Sequence, residues 1–161
     1  MQNEPFYIGT TRFNDTTWEE NCEWRRRHRW EGCVYGANKR MPKHVPRDAL
    51  VYVLEMNNQR DMIMGIGLVR NFFDGNRDIW VYKSEPDYNR FFYHSRYRRD
   101  RDDIENKKML AVLELMVFKG YGHYKRGQSI TTIPWKRFKG PKTKRIIRRF
   151  LRGLFPAALG Q

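Results

Sequence analysis

Short apolar segments separated by turn residues make up most of the first hundred positions, and they predict a protein built around β-strands. Residues 6–13 are aromatic and β-branched, and residues 49–56 are almost wholly apolar, as in a strand that is buried on both faces. Turn residues at 57–61 connect the second of these segments to the apolar segment 62–70. The pattern therefore predicts a hairpin in the middle of the chain.

Weaker signals extend the predicted sheet. Residues 88–97 and 128–133 have strand character, and residues 33–36 predict a short strand or a turn. Gly65 and Gly67 lie inside the second strand of the hairpin. Because glycine weakens a strand interior, this pair indicates a bulge or the close approach of another chain segment.

Helix signals occur in three places along the chain. Thr16 and Glu19 have the spacing of a capping box, which predicts a helix that continues to a stop at Gly32. Asp102 begins a second predicted helix, whose body at residues 109–118 is apolar nearly all round. We expect that helix to be packed inside the domain.

The third helix signal lies at residues 141–155, where apolar residues form one stripe and arginines the other. We expect the stripe to dock on the domain and the arginines to face a nucleic acid. An anionic membrane surface and the groove of a partner protein are the alternatives. The chain is therefore divided into a domain, residues 1–138, and a basic amphipathic arm, residues 139–161.

The mixture of elements sets the expected fold class. Several strands with only two or three helices predict an α+β fold, built on a small, mostly antiparallel sheet or barrel. The hairpin-rich order argues against a doubly wound parallel sheet.

The distribution of charge along the chain is the feature that bears most on function. The 161 residues include 32 Lys and Arg against 18 Asp and Glu, a formal net charge of +14. From Leu115 to Gln161 there are 12 basic residues and no acidic residue, so this segment supplies +12 of the total. Because like charges repel and weaken a compact fold, a polyanion is expected to supply the counter-charge, and phosphate backbone is the commonest one.

Composition also bears on the cellular setting. No apolar run approaches the roughly 18 residues that span a bilayer, and the N-terminal residues lack the pattern of a secretory signal. Two cysteines, Cys22 and Cys33, are too few for a disulfide framework and favour a reducing compartment. We expect an intracellular protein without membrane contact, cytoplasmic or nuclear, or a component of a virion.

Groups that could carry catalysis are sparse. The four histidines and two cysteines lack the paired spacing of zinc ligands. No Ser-His-Asp or Cys-His arrangement can be argued from spacing. We therefore predict no metal, no cofactor and no enzymatic activity.

Three clusters interleave aromatic and basic side chains, at residues 24–30, 91–99 and 135–139. For one cluster alone, packed rings beside solvated arginines are the simpler explanation. Three clusters and an acid-free segment favour single-stranded nucleic acid, because rings stack on bases while guanidinium groups neutralise phosphates. The predicted contacts are Arg25, Arg26, Arg27, Arg29, Trp30, Lys125, Arg126, Trp135, Lys136, Arg137, Lys139, Lys142, Lys144, Arg145, Arg148, Arg149 and Arg152.

Short motifs across residues 6–133 resemble those of PUA-like domains, in the branch that includes the EVE and YTH modules. The segments FYIGTT, GANKR, VYVLEM and MGIGLV carry this resemblance in that order. It implies a small β-barrel that grips RNA, sometimes with a modified base in an aromatic cage. The stretch GHYKRGQSITTIPWKRF also resembles uncharacterised proteins of large DNA viruses.

The resemblance adds site residues to the prediction. Asn38, Lys39 and Arg40 match the basic GNKR-type stretch of YTH domains, which implies contacts with nucleic acid. Trp24 and Trp30 are candidate walls of an aromatic cage, although their spacing does not reproduce that of the family.

The sequence therefore predicts a nucleic-acid-binding protein that prefers RNA to DNA. The alternative is a structural protein of a large nucleic-acid particle, a ribosome or a virion, in which other proteins of the particle are also partners. A lesser alternative is a nuclease-like enzyme, because residues 7–11 resemble the second half of the GIY-YIG endonuclease signature.

Overall fold

Seven β-strands and three α-helices make up the described part of the chain, residues 5–75 and 78–160 of a computed structural model. The strands are β1 Tyr7–Phe13, β2 Cys33–Ala37, β3 Leu50–Asn57, β4 Met62–Arg70, β5 Phe91–Ser95, β6 Arg98–Asp100 and β7 Thr131–Ile133. The helices are α1 Asp15–Arg27, α2 Lys107–Phe118 and α3 Pro141–Leu154. Short 3-10 turns cover Pro86–Asn89, Arg101–Asp103, Trp135–Arg137 and Pro156–Gly160.

Five strands form one sheet in the order β6-β4-β3-β1-β7, and β2 and β5 form a separate antiparallel pair. All neighbours in the large sheet are antiparallel except β1 and β3, which are parallel. The predicted α+β class with a mostly antiparallel sheet is therefore confirmed. The barrel is not formed: within the described residues β6 and β7 are outer strands of three residues each, and no pairing joins them.

β3 is the middle strand of the large sheet and has a core on each side. Val51 and Val53 pack into the core shared with the β2–β5 pair, whereas Tyr52, Leu54 and Met56 face the core shared with α2 and α3. Alternate residues of a strand point to opposite faces, so a strand between two cores is apolar at nearly every position. This arrangement explains the unbroken apolar run in the sequence.

Replacing Leu54 with alanine tests the position of this strand. Its side chain is fully buried, and removing a large apolar side chain from a packed core costs about 2–5 kcal/mol. We expect that loss in the free energy of unfolding, measured by urea denaturation. Leu115→Ala is the matched control, because Leu115 on α2 is 64% exposed. A loss below about 0.5 kcal/mol for Leu54→Ala, the range of surface substitutions, would show that β3 is not the core strand.

A buried ion pair joins β3 to β6. Glu55 Oε1 accepts from Arg98 Nη2 at 2.8 Å, and Glu55 Oε2 accepts from Tyr35 Oη at 2.7 Å. Two glycines of β4 leave room for these groups. A Cβ on Gly65 would lie 2.6 Å from Arg98 Nη2, and one on Gly67 would lie 2.2 Å from Tyr35 Oη. The close approach predicted from the two glycines is confirmed, and the pairing of β3 with β4 also shifts register beside them.

α1 differs from its prediction at both ends. Its N-cap is Asn14, whose side chain accepts from the backbone N–H three residues on at 2.7 Å, and not the predicted cap two residues later. The helix ends at Arg27, because Arg29 adopts a left-handed conformation with φ of 49°. The predicted stop, Gly32, has another role: a Cβ there would lie 1.9 Å from Ser95 O on β5.

α2 begins later than predicted and is buried on one side only. Its N-cap is Asn106, because Ile104 is extended and buried and interrupts the helical backbone that starts near Asp102. Val112 and Leu115 are 46% and 64% exposed, so the expectation that this helix is enclosed by the domain is wrong. The apolar composition of this helix therefore does not show that all of its sides are buried.

Two predicted strands are shorter in the structure. Within residues 88–97 the strand begins only at Phe91, because the Asn89 side chain accepts from Val81 N at 2.9 Å and holds a 3-10 turn there. Within residues 128–133 the strand is limited to β7, because Ser129 has a left-handed φ of 63°.

α3 packs on the large sheet through the predicted apolar stripe. Ile147 and Leu151 are buried in one core with Leu110 and Leu113 of α2, and Phe155 joins the same core. The stripe therefore docks on the protein's own sheet, and the opposite side of α3 faces solvent.

Candidate nucleic-acid interface

The solvent side of α3 carries a dense positive charge. Lys142, Arg145 and Arg149 are exposed, whereas Lys144, Arg148 and Arg152 are half-buried. The three exposed side chains form no salt bridge with any residue in the described ranges, 5–75 and 78–160. Arg148 lies over the Phe6 and Trp135 rings, 5.1 and 5.6 Å from their centroids. This face of the helix suits a polyanion.

The turn that precedes α3 is anchored by aromatic packing. The half-buried Trp135 ring lies between Phe6 and Phe138, at centroid distances of 5.2 and 5.1 Å. The Arg137 guanidinium lies 5.3 Å from the centroid of Tyr124. Two further predicted contacts, Lys136 and Lys139, are exposed beside this turn.

The arginines at the end of α1 are partly compensated within the protein, by the single carboxylate of Glu23. Arg25 Nε donates to Asn21 Oδ1 at 2.9 Å. Arg26 and Arg27 both form salt bridges with Glu23. Arg29 is exposed. This cluster therefore has less unpaired charge than α3, although its sequence is more densely basic.

The two tryptophans predicted as cage walls have different surroundings. Trp24 stacks on His28 with ring centroids 4.1 Å apart. Trp30 Nε1 donates to Cys33 O at 3.0 Å, and its ring meets the edge of His94. Trp30 lines an open groove beside α1, and Trp24 is not among the residues of that groove.

Two basic segments that are distant in sequence meet at Ser129. Ser129 Oγ accepts from Asn38 N at 2.9 Å and from Lys39 N at 3.1 Å, and Asn38 Nδ2 donates to Gln128 Oε1 at 2.9 Å. Arg126, two residues before Gln128, is exposed. The predicted contacts Asn38 and Lys39 therefore meet the segment that carries Lys125 and Arg126, and Lys125 is paired with Asp61 at 2.7 Å.

A cavity of about 360 Å³ lies at the end of β1, next to this junction. We call it the β1 pocket, and its lining residues are Thr11, Arg12, Phe13, Asn14, Thr17, Gly36, Asn58, Tyr82, Glu85, Tyr88 and Gln128. Two lining tyrosines differ in burial: Tyr82 is buried and Tyr88 is half-buried. Burial raises the pKa of both phenols, so both are neutral near pH 7.

Arg12 places a cation on the wall of the β1 pocket. Its Nη1 donates to Thr10 Oγ1 at 2.9 Å and to Tyr124 O at 3.1 Å, and its Nη2 donates to Ser129 O at 2.7 Å. Burial lowers the pKa of this guanidinium, but an arginine remains charged at neutral pH. Its Nε is buried and has no partner among residues 5–75 and 78–160.

Asn58 adds an acceptor to the same pocket. Its Nδ2 donates to Lys125 O at 2.8 Å, while its buried Oδ1 has no partner in the described chain. An unpaired buried polar atom costs about 1–3 kcal/mol, but this oxygen has almost no accessible surface, so a ligand reaches it only if the side chain moves. Sequence reasoning misses both Arg12 and Asn58. The one available signal is Arg12 itself, a charge inside an aromatic and β-branched segment.

Comparisons of the chain with protein-family models, with curated proteins and with solved structures found no match. Within residues 5–75 and 78–160, no helix combines the length and the apolar character needed to cross a bilayer. The same residues contain no group of three His, Cys, Asp or Glu side chains placed to hold a metal ion.

Proposed function

We propose that the protein binds single-stranded nucleic acid, RNA in preference to DNA, with one unstacked base in the β1 pocket. The observation that carries the proposal is the pocket itself, which combines the aromatic residues Phe13, Tyr82 and Tyr88 with polar and cationic lining residues, Arg12 and Asn58 among them. Sequence-specific recognition of RNA uses this chemistry, because splayed bases stack on rings and form hydrogen bonds through their edges.

The size and chemistry of the β1 pocket suit a base. Its volume of about 360 Å³ lies within the range of small-ligand sites, roughly 300–1,000 Å³. Tyr88 offers a half-buried ring at the pocket, Arg12 a cation and Asn58 an amide. The resemblance to PUA-like domains supports RNA as the nucleic acid.

The solvent side of α3 supports the same partner. Its exposed Lys142, Arg145 and Arg149 lack carboxylate partners among the described residues. A groove or face of one charge attracts a polyanion and raises the rate of encounter. In this proposal α3 supplies non-specific attraction to phosphates, and the β1 pocket supplies the specific contact.

Replacing Tyr88 with alanine tests the pocket. The probe is a fluorescein-labelled single-stranded RNA of mixed sequence, about 12 nucleotides long and within the usual site size. We expect fluorescence anisotropy to show about a tenfold loss of affinity at every salt concentration, because stacking does not depend on counterions.

Two variants serve as controls for Tyr88→Ala. Tyr88→Phe keeps the ring and should bind within about twofold of the wild-type chain. Tyr121→Ala removes a fully exposed tyrosine that does not line the pocket and should bind normally. Equal affinities for Tyr88→Ala and Tyr121→Ala would show that the β1 pocket holds no base.

A further inference from the structure

Three arginines lie over phenylalanine rings on the surface beside the β2–β5 pair. Arg40 Cζ lies 4.8 Å from the Phe73 centroid and 5.5 Å from the Phe91 centroid. Arg90 lies 5.7 Å from Phe91. A neighbouring contact places Arg47 Cζ 5.7 Å from the Phe72 centroid. We call the set Arg40, Arg47, Arg90, Phe72, Phe73 and Phe91 the arginine–phenylalanine patch.

The cations of the patch are exposed to solvent. Arg40, Arg47 and Arg90 are all exposed, and none of them forms a salt bridge within the parts of the chain that the structure describes. Phe72 is 57% exposed, more than a ring in a packed core would be. Stacked guanidinium planes and open rings are the two surfaces on which unstacked bases lie.

The patch and the β1 pocket share the β2–β5 pair. Phe91 pairs with Ala37 across the β2–β5 ladder, and Gly36, the residue before Ala37, lines the pocket. Tyr88 lines the pocket three residues before Phe91. With a rise of about 3.3 Å per strand residue, the pocket wall at Gly36 lies only about 3–4 Å along the strand from the Ala37–Phe91 pair.

We infer that the arginine–phenylalanine patch binds the nucleotides adjacent to the base held in the β1 pocket, so that the site takes a stretch of single-stranded nucleic acid. This inference rests on the proposed function. Arg40, Arg47 and Arg90 contact phosphates or stack on bases, and Phe72 stacks on one further base. The charge of the patch selects a polyanion, and its rings select an unpaired strand, because bases inside a duplex are already stacked.

The test uses the full chain and the labelled single-stranded RNA described above. Arg40→Gln with Arg90→Gln should flatten the plot of log affinity against log salt by about 1.4, because each lost phosphate contact changes the slope by about 0.7. Phe72→Ala should weaken binding about tenfold at every salt concentration with an unchanged slope. Both sites are on the surface, and circular dichroism verifies that the variants are folded.

Lys107→Gln with Lys108→Gln is the matched control, since these two exposed lysines at the start of α2 line neither the patch nor the β1 pocket. It should leave the slope unchanged. If the patch variants bind like the wild-type chain while Tyr88→Ala is weakened, the patch lies outside the site and the inference is overturned, whereas the proposed function stands. If the wild-type chain binds no single-stranded RNA or DNA, the proposed function fails and the inference fails with it.

Discussion

Replacing Glu55 with alanine should lower the free energy of unfolding by about 3–5 kcal/mol, the usual cost of breaking a buried ion pair by removing one partner. The side chains of Glu55 and Arg98 are only 2% and 5% exposed. Without Glu55, the Arg98 guanidinium keeps Asp100, at 3.2 Å, as its carboxylate partner among the described residues, and the Tyr35 hydroxyl loses its acceptor. Urea denaturation followed by circular dichroism measures the loss.

Two comparisons separate this effect from a general loss of charge. Glu23→Ala removes a carboxylate from an exposed pair and should cost less than about 1 kcal/mol. Glu55→Met with Arg98→Met removes both buried charges and should recover most of the stability lost by Glu55→Ala. If Glu55→Ala cost no more than Glu23→Ala, the pair would not hold β3 and β6 together.

Salt should weaken RNA binding by about 250-fold between about 50 and 200 mM, if six phosphate contacts form. Six contacts are half of the 12 basic residues that follow Glu114. Each displaces a condensed counterion, so log affinity falls against log salt with a slope of about −0.7 per contact on single strands, or about −4 in all.

Variants of α3 show which basic residues cause the fall of affinity with salt. Arg145→Gln with Arg149→Gln removes two exposed arginines without carboxylate partners in the described residues, and it should flatten the slope by about 1.4. Lys107→Gln with Lys108→Gln removes the same charge from the start of α2 and should leave the slope near its original value. If the α3 variant kept the full slope, its basic face would serve another partner, and a structural role in a nucleic-acid particle would become the better account.

The elements that could be predicted from sequence are those whose signals are local. The hairpin of β3 and β4 follows from two apolar runs joined by turn residues, and α3 follows from a stripe with helical period. The ends of α1 could not be predicted this way. The left-handed Arg29 that ends it is a non-glycine residue, and Gly32 is needed only because β5 passes within reach of it.

The candidate site could likewise be predicted only in part. The acid-free segment and the aromatic–basic clusters are visible in composition, so the class of partner could be predicted as a polyanion. The β1 pocket could not, because Arg12, Asn58 and Tyr88 are separated by many residues and meet only after β1 pairs with β3. No periodic pattern in the sequence indicates contacts between residues so far apart.

The sequence by itself determined the β3–β4 hairpin, the approximate positions of the three helices and how much positive charge the protein carries. Tertiary structure alone decided which of that charge is paired over long range: Asp61 pairs with Lys125 and Glu55 with Arg98, whereas no carboxylate of the described residues reaches Arg145 or Arg149 on α3. It also decided that Arg40 lies over Phe73 and Phe91. The physical reason is the separation along the chain over which each effect acts. Backbone propensity and hydrophobic periodicity act over a few residues. Long-range ion pairs and ring contacts depend instead on the distances that chain packing creates.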